Sequence, residues 1–61
     1  MDVHEALARA LYEAERSTQS AVADDIGVQR SALSRWKNGD KPQGALCRKL
    51  IAWAESLPPR A

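Results

Sequence analysis

The stretch Thr18 to Pro42, TQSAVADDIGVQRSALSRWKNGDKP, constrains this chain more than any other. Its period is helical, broken at Gly27 and ended by Asn38-Gly39 and Pro42. Thr18 is placed to cap a first short helix, its hydroxyl accepting from a free amide of the first turn. Val22, Ala23 and Ile26 give that helix its apolar side. Gly27 takes positive φ without a Cβ clash, which lets the chain leave one helix and turn sharply. Val28 then plugs the turn into the core, and a second helix is expected from Gln29 or Arg30 to Asn38. Pro42 forbids its continuation.

At about 100° per residue, the second helix divides into two faces. Arg30, Ser34, Asn38, Ser31 and Arg35 fall within roughly 140° of arc, with Lys37 just beyond Arg30. Ala32, Leu33 and Trp36 fall on the opposite side. One face is a core stripe; the other carries side chains that hydrogen-bond phosphates and base edges. Trp36, apolar-facing, is expected in the core rather than as a stacking platform for single strands.

On these residues the stretch resembles the helix-turn-helix of the Cro and lambda-repressor (XRE-type) DNA-binding family. Thr18-Gln19 opens the first helix, Ala23 lets the two helices approach, and Gly27-Val28 forms the turn. Leu33 and Trp36 are the buried pair, and Asn38-Gly39 with Pro42 closes the unit. Two positions depart from the family's pattern. Ala21 stands where an acidic residue often completes a capping box, and Gln29 where Ser or Thr is more usual. A weaker start is therefore expected for the first motif helix, and the second is expected to be capped poorly or to begin a residue later.

The resemblance implies an all-α, small four-helix lambda-repressor-like domain over residues 1–57, with its motif at about 18–38. It also implies a sequence-specific transcriptional regulator of Cro/repressor type that reads double-stranded DNA in the major groove. Arg30, Ser31, Ser34 and Arg35 would meet base edges, and Gln19, Lys37, Asn38 and Lys41 would hold phosphates.

The flanking segments agree in pattern. Val3, Ala6, Leu7, Ala10, Leu11 and Ala14 make an amphipathic stripe, so a first helix is expected from Val3 to Arg16. Asp2 and Glu5 have capping-box spacing, and Glu5, Arg9 and Glu13 stand at i, i+4 on the solvated face. A last helix is expected from Gly44 or Ala45 to Ser56, ended by Pro58-Pro59, with residues 58–61 a disordered tail. Its apolar residues, from Trp53 through Leu46 and Leu50 to Ile51, cover an arc of roughly 160°.

Composition narrows the classes. Sixty-one residues make one small, marginal domain. No apolar run is long enough to span a bilayer and no signal-peptide pattern opens the chain, so a cytoplasmic protein with no membrane partner is expected. One cysteine excludes an internal disulfide, and with one histidine there is no ligand set for zinc. Cys47 on the apolar side of its helix reads as a small buried hydrophobe, and His4 as an exposed side chain without special chemistry. Net charge is only +1. Residues 1–25 carry two arginines against six acids, a net of −4, while residues 26–61 carry seven cations against two acids, +5. The positive half holds the recognition helix, a layout that orients a domain on DNA.

A protein-interaction module on the same fold, such as an antitoxin or a regulator's docking domain, is the competing class. Its contact would be the acidic face of the first helix. No nucleophile–base pair, phosphate-cradling loop or metal-ligand cluster points to an enzyme, and no cofactor or small-molecule ligand is expected. One recognition helix reads only about four or five base pairs, so a weak homodimer, formed before or upon DNA binding, is expected on an inverted repeat. The last helix's arc is its candidate surface, with Trp53 and Leu57 as anchors unless Trp53 completes the monomer core.

Overall fold

The computed structural model describes residues 1–58, and the chain forms four helices there, without strands among the described residues. They are α1 (Val3–Arg16), α2 (Gln19–Ile26), α3 (Arg30–Lys37) and α4 (Ala45–Ser56). Each boundary has a local cause. The Asp2 carboxylate accepts the His4 amide at 2.8 Å and starts α1. Glu5 makes no return bond, so only the acceptor half of the capping box forms. Thr18 Oγ1 accepts the Ala21 amide at 3.0 Å and starts α2.

Gly27 ends α2 with φ 92° and ψ 33°, the left-handed conformation. Its amide and that of Val28 both donate to the Ala23 carbonyl, at 2.9 and 3.0 Å, which satisfies the helix end while the chain reverses. Val28 is half-buried and packs on the core. From the other side, Lys49 of α4 donates through Nζ to the Gly27 carbonyl at 3.2 Å. α3 begins after Gln29, which gives no side-chain cap. Its end is closed by the Asn38 amide on the Ser34 and Arg35 carbonyls and by the Asp40 amide on the Arg35 carbonyl. Gly44 precedes α4 at φ 58° and ψ −130°, a region nearly closed to any residue with a Cβ.

The core is built from small and very large side chains. Ala6, Ala10, Ala23, Ala32 and Ala54 are buried with Leu33, Leu50, Trp36 and Trp53, and with Val22 and Ile26. The alanines let the helix axes come close, and the two indoles fill what the short helices leave. α1 packs on α2 and α4, α2 packs on α3 and α4, and α3 also reaches α1. The radius of gyration is 10.2 Å, close to the roughly 10.5 Å of a close-packed globule of this length.

The wide apolar arc of α4 has its reason in this arrangement, because α4 is covered from two sides, by α1 and by α2. Trp53, expected at a dimer contact, lies in the monomer core at 9% exposure. Leu57 is half-buried, as are Leu46, Cys47 and Ile51 along the arc.

Arg9 also sits differently from its expected place on a solvated face. It is half-buried at the α1–α4 seam, where Nε donates to Glu13 at 2.9 Å and Nη2 to the Pro58 carbonyl at 3.2 Å. Pro58 is thus held, and the rest of the expected tail, 59–61, lies outside the described residues. The Met1 amine pairs with Glu55 at 2.9 Å, and that hydrogen bond and charge raise its pKa above the ordinary 8.0. A raised amine adds stability below its unfolded pKa and loses it as pH rises through the folded value.

An added Cβ at Gly27 meets nothing within 4 Å, so a substitution there strains the backbone alone. Gly27→Val is expected to lower stability by more than about 1 kcal/mol, and Gly27→Asn by less, since Asn tolerates the left-handed region. Urea denaturation of both variants checks this, and equal losses would point to packing instead of φ.

Candidate nucleic-acid interface

α3 owes its orientation to its inner face. Ala32, Leu33 and Trp36 are buried at 4%, 0% and 4% exposure, which turns the polar arc of the same helix outward. Arg30, Ser31, Arg35, Lys37 and Asn38 are exposed, and Ser34 is half-buried. Trp36 is therefore a core residue.

Side chains distant in sequence come together around the C-terminal half of α3. Gln19, from the start of α2, and Lys37 line one groove of about 180 Å³, together with Leu11, Ala14 and Glu15 of α1. Arg35 and Lys41 line a second, of about 310 Å³, with Trp36, Asp40, Gln43 and Leu46. Arg35 also borders a third, of about 290 Å³, beside the Gly27-Val28 turn. It stands on the ridge between two grooves. Arg30 and Ser31 lie a full turn away at the N-terminal end of α3, and Asn38 caps the other end.

The electrostatics favour an anionic partner. Among the described residues Arg30, Arg35, Lys37 and Lys41 make no ion pair. Both ion pairs found there lie elsewhere, between Met1 and Glu55 and between Arg9 and Glu13. Lys49 is the exception within the basic half, because its ammonium is engaged by the Gly27 carbonyl.

Two polar residues of this face escape a reading of the sequence. Gln29 is exposed just before α3, and its side-chain carbonyl accepts from Ser31 Oγ at 3.4 Å, leaving the amide group to donate outward. From its position in the sequence Gln29 reads only as a poor cap. Gln43 lies exposed in the α3–α4 loop on the groove shared by Arg35 and Lys41. No periodicity applies to a loop, and only the fold brings it there.

A family model for the helix-turn-helix matches residues 9–52. The chain belongs to the Cro/XRE-type helix-turn-helix family. The match extends past the motif into the second half of α1 and most of α4, so the flanking helices belong to the family unit as well. No curated protein matches the chain, and no solved structure does. Membership makes it a DNA-binding helix-turn-helix regulator, in a family that is regulatory and not typically enzymatic. No helix among the described residues is long and apolar enough to cross a membrane.

The burial of Trp36 sets an expected outcome. Trp36→Ala should cost about 3–5 kcal/mol, enough to abolish folding and DNA binding together in a domain this small. Circular dichroism melts run beside a binding assay check it. A variant that melts like the parent yet fails to bind would make Trp36 a contact residue.

Proposed function

We propose that the chain is a sequence-specific transcriptional regulator of Cro/repressor type, reading the major groove of double-stranded DNA with α3. Arg30, Ser31, Ser34 and Arg35 meet base edges, with Arg30 or Arg35 suited to the paired acceptors of guanine. Gln19, Lys37, Asn38 and Lys41 hold the backbone on the flanks. The observation that carries this reading is the outer face of α3, polar, exposed but for the half-buried Ser34 and without ion pairs among the described residues, while its inner face is buried. Selection of bound sites from a random duplex pool tests it. A single enriched motif is the expected result, and recovery of unenriched sequence would overturn it.

Mutants separate the two kinds of contact. Arg30→Ala should cost about 1–3 kcal/mol on the selected site and relax preference at one base pair. Lys41→Ala should weaken all duplexes alike and reduce the salt slope by about one unit. Titrations at several salt concentrations distinguish these patterns, and equal, sequence-independent losses from both would remove Arg30 from the base-contacting set.

The same reading places two copies on an inverted repeat. Half-sites one helical turn apart set reading heads about 34 Å from each other, and the domain measures 28 × 23 × 19 Å. At that spacing two such bodies could meet only at their edges. The contact is therefore small, with half-buried Leu57 as its anchor and Trp53 contributing no more than its exposed rim. Sedimentation at tens of micromolar should show a free monomer and two chains per inverted-repeat duplex. One chain per duplex at saturation would rule out the pairing.

A further inference from the structure

The grooves that border α3 hold acids as well as cations. Glu15 lines the groove of Gln19 and Lys37, and Asp40 lines that of Arg35 and Lys41. Among the described residues neither carboxylate accepts a hydrogen bond or forms an ion pair. Neither carboxylate helps the helix it adjoins. Glu15 stands in the last turn of α1, and Asp40 follows the C-terminal end of α3. At a helix C-terminus the backbone dipole disfavours negative charge. Two acids thus stand where they weaken local structure and where a phosphate would come close.

We propose that Glu15 and Asp40 are affinity-limiting residues, whose carboxylates hold down attraction to the DNA backbone at the two grooves beside α3. The inference rests on the DNA-binding reading and adds to it a brake. A carboxylate within several ångströms of a bound phosphate opposes the pull of Lys37 or of Lys41, and does so for any sequence. Base readout is left untouched. The domain thereby keeps its discrimination while releasing DNA at lower salt than its cations alone would dictate.

The test uses the full chain with Glu15→Gln, Asp40→Asn and the double variant, titrated against a random duplex and the selected duplex. Glu5→Gln is the control, because it removes the same charge about 15 Å further up α1. Each groove variant should tighten both duplexes about two- to five-fold at low salt, with the two effects multiplying. The gain should shrink between about 0.01 and 0.15 M salt, as the screening length falls from about 30 Å to about 8 Å. The ratio between selected and random duplex should stay that of the parent. Affinities equal to those of Glu5→Gln would overturn the proposal, as would weaker binding, which would mean that the acids orient the neighbouring cations. A changed ratio in Asp40→Asn would make Asp40 a base contact and remove it from the brake. A parent that binds no duplex would instead overturn the DNA-binding reading, so the two failures are told apart.

Discussion

An eight-residue helix has no stability of its own in water, because nucleation costs more than so few hydrogen bonds return. α3 is such a helix, and it lacks a side-chain cap as well. It persists because Ala32, Leu33 and Trp36 are buried against the rest of the domain, Leu33 with no exposed surface at all. The turn before it is fixed twice, by the left-handed Gly27 and by the Lys49 ammonium on the Gly27 carbonyl. The direction of the polar face follows from these contacts. The outward direction of the polar face and the core packing are in this sense one property of α3.

That link explains what could be read from the chain beforehand. Helical period placed all four helices, and the wheel of α3 correctly separated Ala32, Leu33 and Trp36 from Arg30, Ser31 and Arg35. Local chemistry at Asp2, Thr18 and Gly27 gave the caps and the turn. Tertiary relations were harder. A wheel shows how wide an apolar arc is, not how many neighbours cover it, so it does not reveal the double coverage of α4 by α1 and α2 that buries Trp53. Loop residues carry no period, which hid Gln43. Gln29 stands at the cap position of α3, and its free amide group follows only from the bond its carbonyl takes from Ser31. The need for glycine at Gly44 likewise depends on the angle at which α4 leaves the loop.

Net charge says little about this molecule, and arrangement says much. Four residues of the two ion pairs are placed at the chain start and along α1 and α4, away from the α3 face. The cations around α3 remain without such partners among the described residues. Acids sharing their grooves moderate the field without neutralising it. A near-zero total can therefore coexist with a directed pull on a polyanion.

Apart from the half-buried Ser34, the two faces of α3 have no residue in common. Ala32, Leu33 and Trp36 answer to the interior, while Arg30, Ser31 and Arg35 are exposed to solvent. A change among the outward residues leaves the packing of the domain as it was. Such a surface can drift or be rewritten one position at a time, and each intermediate still folds. The domain is then a fixed holder with an exchangeable outer face, and on the proposed reading that face can change its preferred site without a change of architecture.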